Sequence, residues 1–172
     1  MIAESRRISP FVIAALVFGL VAAGRVVWTD AAMMATKVSA QLTGADETPP
    51  TPSNSTGRFQ GTIAGDNKSI SYKLTFSKLT SRTTAAHIHV GAKGAAGPVV
   101  VWFCGGGGRP SCPASGTVTG TVRAANVVAG GDIKKGDLAG LIKAIQAGNA
   151  YVNVHSTKYP AGEIRGQIET GM

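Results

Sequence analysis

The chain has 172 residues, of which 23 are glycine and only 6% are aromatic, and its formal net charge is +8. The basic residues are scattered and no aromatic residues alternate with them, so nucleic-acid binding is excluded as the main function. From Lys37 onward there are fourteen Lys or Arg and seven Asp or Glu. This surplus favours contact with acidic protein surfaces or anionic head groups.

The first predicted element is an apolar segment near the N-terminus. Ile8–Gly24 contains no charged residue, and Arg25 and Trp28 follow it. As a helix, Ile8–Trp28 would measure roughly 31 Å, which is enough to cross the hydrocarbon core of a membrane. Arg25 and Trp28 are typical of the interface at the end of such a helix. The pattern predicts one transmembrane helix.

The charges before this segment predict its orientation. Arg6 and Arg7 precede the apolar run, which places the N-terminus in the cytoplasm and the rest of the chain outside a bacterial inner membrane, in the periplasm. A cleaved signal peptide ending near Ala22–Gly24 is the alternative, and the sequence leaves both open. We take the retained anchor as the expectation. The predicted parts are listed by residue number: anchor 1–28, linker 29–36 and exported domain 37–172.

The exported part shows mostly strand patterns. Ser69–Ser77 alternates apolar and polar residues most regularly, and the segment before it is expected to pair with it as a hairpin. The predicted strands are Val38–Leu42, Gly57–Ala64, Ser69–Ser77, Ala85–Val90, Pro98–Cys104, Thr117–Val122, Ala150–His155 and Glu163–Glu169. One helix is predicted over Lys135–Gln146, with Asp137 as a cap near its start. The fold class is therefore all-β: an antiparallel, Greek-key-like β-sandwich of about eight strands with one short helix.

Two cysteines enclose a flexible loop. Cys104 and Cys112 are separated by Gly-Gly-Gly-Gly-Arg-Pro-Ser. In an oxidising compartment this arrangement favours a disulfide, which would fix a loop with little order of its own. Ligation of a soft metal is the alternative, but the spacing is poor for it.

The three histidines of the chain lie on two predicted strands. His87 and His89 are two residues apart and share one face, and His155 ends the Ala150–His155 strand. If these strands are neighbours, three imidazoles and the carboxylate of Glu163 converge. Neutral imidazole is a good ligand for copper or zinc, so His87, His89 and His155 form a candidate metal site.

A structural interpretation of the same residues stays open. Asn153, Glu163 and Arg165 lie near the histidines in the sequence pattern and are predicted to form a polar network between strands. Such a network would fix strand register and seal a half-buried face without binding a metal. A nucleophile–base arrangement is not visible, and no enzyme activity is predicted.

Four ordered motifs resemble the CHRD family, a domain first described in chordin. They are Ala40–Gly44 with Glu47 and Pro49-Pro50, Ala86–Gly91 with Gly97–Val100, Leu138–Ala150, and Tyr151–His155 with Pro160–Ile168. The resemblance covers Val38–Ile168 and implies an exported all-β domain, but it names no reaction. The histidine strand and the last strand also resemble, faintly, copper/zinc superoxide dismutases, which use more histidines than this chain has.

These features together predict a non-enzymatic, membrane-anchored subunit. Its expected role is to stabilise a larger bacterial membrane complex, with other subunits and lipid as its partners; an energy-transducing complex is the specific suggestion. The alternative is a copper- or zinc-binding periplasmic module that uses the three histidines. The sequence makes no cofactor certain.

Overall fold

The computed structural model describes residues 34–171. Its nine strands are β1 Thr36–Thr43, β2 Thr56–Ile63, β3 Ile70–Ser77, β4 Thr83–Val90, β5 Val99–Cys104, β6 Gly116–Val122, β7 Ala150–Ser156, β8 Ile164–Gln167 and β9 Glu169–Thr170. One helix, α1, spans Leu138–Gln146, and a short 3-10 turn spans Ala124–Asn126. The all-β fold with one short helix is confirmed. β1 begins at Thr36, the last residue of the predicted linker.

The strands form one antiparallel sheet in the order β5-β4-β7-β8-β1-β2-β3-β6, and β9 pairs with β1. The predicted hairpin is present as β2 and β3, which pair along their whole length from Thr56↔Ser77 to Ile63↔Ile70. In β3 every second residue is buried, because alternate side chains of a strand point to opposite faces of the sheet. The closing hairpin is present as β7 and β8.

The sheet curls until its two ends approach each other, so the fold is close to a closed barrel. Phe103 of β5 packs across the core against Phe59 of β2, with ring centroids 5.7 Å apart. The segment after β6 meets β5 through a bridge between Val127 and Val101, and the amide of Val128 donates to the carbonyl of Val100. One hydrophobic core therefore fills the space inside the curled sheet.

The helix α1 begins three residues later than the sequence predicts. Gly136 has a φ of +82°, which no residue of a right-handed helix adopts, so the helix cannot extend back to Lys135. Asp137 is the N-cap, as expected, and its carboxylate accepts from the amide of Gly140 at 2.8 Å. Leu141 and Ile145 lie on the buried face of α1, which packs against β7 and β9.

The predicted disulfide joins Cys104 at the end of β5 to Cys112. The loop that it closes folds back over Trp102 of β5. A Cβ atom at Gly106 or Gly107 would collide with the indole ring, so only glycine permits this close approach. The disulfide thus holds a glycine loop against the Trp102 side chain.

The predicted anchor and its flanking residues, Arg6, Arg7, Arg25 and Trp28, lie outside the described residues. Within residues 34–171, the structure contains no helix with the length and apolar character needed to cross a membrane.

Candidate metal site

The pairing of β4 with β7 brings the three histidines together. His87 lies opposite Asn153, His89 opposite Tyr151, and Ala85 opposite His155. Because alternate residues share a face, all three imidazoles project from the same side of this strand pair. The His87 ring centroid lies 4.6 Å from that of His89 and 4.5 Å from that of His155. We call these three residues the histidine triad.

The ring nitrogens of the triad lie close together, and some of them have no hydrogen-bond partner. One ring nitrogen from each histidine lies within 4.8 Å of the other two. Nδ1 of His89 is 2.7 Å from the carbonyl oxygen of Gly97, and Nδ1 of His155 is 2.9 Å from that of Pro160. A carbonyl only accepts, so both Nδ1 atoms carry the proton and both Nε2 atoms present a lone pair. These Nε2 atoms and Nδ1 of His87 are buried and have no partner in the described structure.

Burial keeps the triad neutral near pH 7. Burial, together with the smaller effects of the neighbouring His155 and His89, lowers the pKa of His87 to about 2. Burial also lowers the pKa of His89 to about 4, although the hydrogen bond to Gly97 opposes this change. The pKa of His155 is lowered by burial as well. Neutral imidazoles hold the lone pairs that metal coordination requires.

Aromatic side chains form the walls around the triad. The indole of Trp102 meets the His87 ring edge-on, with centroids 4.7 Å apart. The phenol ring of Tyr151 stacks on His89 with an interplanar angle of 2° and a centroid distance of 4.6 Å. These walls shield the ring nitrogens from water and fix the imidazole planes.

The predicted polar network divides into two separate sets. Asn153 donates to Glu47, and the positive charge of Arg165 also acts on Glu47, so these three residues lie together. The guanidinium of Arg165 donates to the carbonyls of Ala92 and Ala95 at 3.1 and 2.9 Å. This set borders the triad along β7 and β8.

Glu163 belongs to the other set, so the expectation that its carboxylate would join the histidines is corrected. Its Oε1 accepts from the hydroxyls of Ser53 and Ser55 at 2.8 and 2.6 Å, and from the amide of Thr80 at 2.8 Å. The physical reason is that β8 begins at Ile164, so strand alternation does not extend to Glu163. Its carboxylate therefore holds the loop before β2 and the loop between β3 and β4 in place.

Glu47 is a site residue that the sequence reasoning missed. It lies in a proline-rich loop, where no periodicity indicates which way a side chain points. The available signal was its place in the first family motif, as an acid beside two prolines. It is 7% exposed. Burial raises the pKa of Glu47 to about 7, against the opposing effects of the Thr48 amide, Arg165 and Asn153.

This raised pKa predicts a pH-dependent stability. Between pH 4.5 and about 7 the folded state holds a proton on Glu47 that the unfolded state releases, so this group lowers stability as pH rises. We expect E47Q to gain about 2 kcal/mol relative to wild type when the pH is raised from 4.5 to 8. Urea denaturation of both proteins over this range measures the difference, and the histidine contributions cancel. E169Q, which changes an exposed acid, is the control. If the difference in free energy of unfolding between E47Q and wild type does not change with pH, the prediction is wrong.

The fold and the site define a small antiparallel all-β domain with a cluster of buried imidazoles on one strand pair. The chain belongs to the CHRD domain family, whose model matches residues 38–168. No curated protein and no solved structure matches the chain.

Proposed function

We propose that this CHRD domain binds one copper or zinc ion through His87, His89 and His155. Two observations carry the proposal: each histidine of the triad offers one ring nitrogen within 4.8 Å of the other two, and each has a buried ring nitrogen without a partner. Buried polar atoms without a partner are rare and costly, and a cation held by the triad would satisfy such atoms. Imidazole nitrogen is a preferred ligand of both metals.

The surroundings of the triad support this proposal. In metal sites, a ligating histidine commonly donates its other N–H to a carbonyl, which fixes the tautomer and the ring orientation. His89 and His155 have this arrangement through Gly97 and Pro160. A purely structural polar network would instead pair its members with each other, as Asn153 and Glu47 do.

We propose a binding role rather than a catalytic one. The cysteines are joined in a disulfide, and Oε1 of Glu163 accepts from Ser53, Ser55 and Thr80. Among the described His, Cys, Asp and Glu residues, the triad is the group of three whose potential ligand atoms lie within 4.8 Å of one another.

The test is the metal content of the full-length chain. Protein purified in mild detergent is stripped with a chelator, exposed to copper or zinc, and dialysed. We expect one ion retained per chain, and quenching of Trp102 fluorescence on copper binding because this indole touches His87. W102F is the control, since it leaves Trp28 as the other tryptophan. A chain that retains neither metal refutes the proposal.

The second candidate is the accessory subunit of a membrane complex. The uncharged segment Ile8–Gly24 and the surplus of basic residues after Lys37 support it. In this proposal the domain lies in the periplasm and contacts acidic surfaces of its partners. Native electrophoresis of solubilised membranes tests it: a defined larger assembly is expected, and migration as a lone chain argues against it.

A further inference from the structure

A positive charge lies close to the histidine triad. The Arg165 side chain is only 3% exposed. Its guanidinium donates to two backbone carbonyls and, at 3.4 Å, to the hydroxyl of Thr48. None of these acceptors is a carboxylate, so its charge is not neutralised through a direct hydrogen bond to an acid. Glu47 is the acid that its field reaches.

The Tyr151 ring connects this charge to the triad. β7, which carries Tyr151, lies between β4 and β8, which carry His89 and Arg165. The guanidinium carbon of Arg165 is 3.4 Å from the Tyr151 ring centroid, which is itself 4.6 Å from that of His89, so the charge lies within 8 Å of the His89 ring. At this distance inside a protein, two unit charges still interact strongly.

A buried site beside the positive charge of Arg165 binds monovalent and divalent cations with different free-energy costs. Repulsion from Arg165 doubles when the ion carries two charges, and the cost of removing an ion from water grows with the square of its charge. The triad ligands are neutral and therefore offset none of this charge. Zinc also prefers four ligands, whereas the triad supplies three.

We infer that the histidine triad selects Cu(I) over Zn(II), and that Arg165 sets this preference through its charge. The inference rests on the proposed function, because it names which of the two metals the site takes. Arg165 touches none of the ligand nitrogens in the described contacts; it is a specificity-determining residue that acts through the field it places on the bound ion.

The experiment compares two affinities in each of three proteins. Full-length wild type, R165M and R165K are titrated with Cu(I), kept reduced with ascorbate, against a colorimetric Cu(I) chelator, and separately with zinc against a zinc chelator. R165M keeps an unbranched side chain over Tyr151 and removes the charge; R165K is the matched control because it keeps the charge. We expect R165M to shift the ratio of affinities toward zinc by about tenfold to thirtyfold, and R165K to stay near wild type.

The outcomes separate this inference from the proposed function. If wild type binds neither metal, both fail. If it binds zinc as tightly as Cu(I), or if R165M keeps the wild-type ratio, the inference fails while the metal site stands. If circular dichroism shows that R165M does not fold, R165Q replaces it. The ratio of Cu(I) to zinc affinity in the wild-type protein tests the selectivity without any variant.

Discussion

Replacing His87 with phenylalanine is expected to abolish stoichiometric metal binding while leaving the fold intact. His87 is the central member of the triad, within 4.6 Å of both other rings. Four-ligand structural zinc sites bind the metal with a free energy of roughly 10–16 kcal/mol, which is about 3 kcal/mol for each ligand. Losing one ligand of the triad should therefore weaken binding by at least about a hundredfold. H87A is expected to show the same loss of binding.

The same variant separates a metal site from a structural polar network. Phenylalanine keeps a ring against Trp102 and removes a buried nitrogen that has no partner. Removing such an atom is nearly neutral or stabilising, so metal-free H87F should unfold at a urea concentration no lower than that of metal-free wild type. Metal should then stabilise wild type and not H87F.

Thr84→Ser on the same strand is the control for both measurements. A marked loss of stability in metal-free H87F, together with no stabilisation of wild type by metal, would show that the triad is a structural network.

The second large effect is expected at Glu163. Its carboxylate is fully buried and accepts from Ser53, Ser55 and the amide of Thr80. E163A removes the acceptor of the buried Ser55 hydroxyl and of the part-buried donors from Ser53 and Thr80. The Ser55 hydroxyl can still donate to the carbonyl of Lys78, so we expect the free energy of unfolding to fall by about 2 kcal/mol. Urea denaturation at pH 7 measures this, with E169A at an exposed acid as the control. A change within about 0.5 kcal/mol, typical of surface sites, contradicts the prediction.

Glu163 also predicts an acid-sensitive fold. Burial alone would raise the pKa of this carboxyl, but hydrogen bonds from Ser156, Ser55, Thr80 and Ser53 outweigh burial and hold the pKa below its ordinary value. Its contribution is therefore complete above the unfolded pKa near 4.5 and is lost as pH falls through the folded pKa. The gap in stability between wild type and E163A should narrow in this acidic range.

Much of the fold could be predicted because strand periodicity is a local property. The alternation in Ser69–Ser77 identified β3 and its buried face, and the capping role of Asp137 was predicted although the start of α1 was placed three residues too early. The strand pattern did not distinguish a sandwich from one sheet curled into a near-barrel. That shape depends on contacts between distant residues, such as Phe59 with Phe103, which no local pattern contains.

The candidate site, like the fold, could be predicted only where strand periodicity applies. Two histidines at i and i+2 had to share a face, and the structure then places His155 beside them because β7 pairs with β4. Residues outside regular strands were not predictable in this way. Glu47 in its loop was missed, and Glu163, one residue before β8, was assigned to the wrong neighbours.

The near-closure of the sheet has a consequence for strand addition at its edge. β5 ends the order of the strands, and such a strand normally offers a row of free backbone groups to which a foreign strand can add. Here the chain itself occupies part of that edge, through Val127 opposite Val101 and the amide of Val128 on Val100. Along this part of the edge no foreign strand can add, and the domain is protected there from joining copies of itself edge to edge.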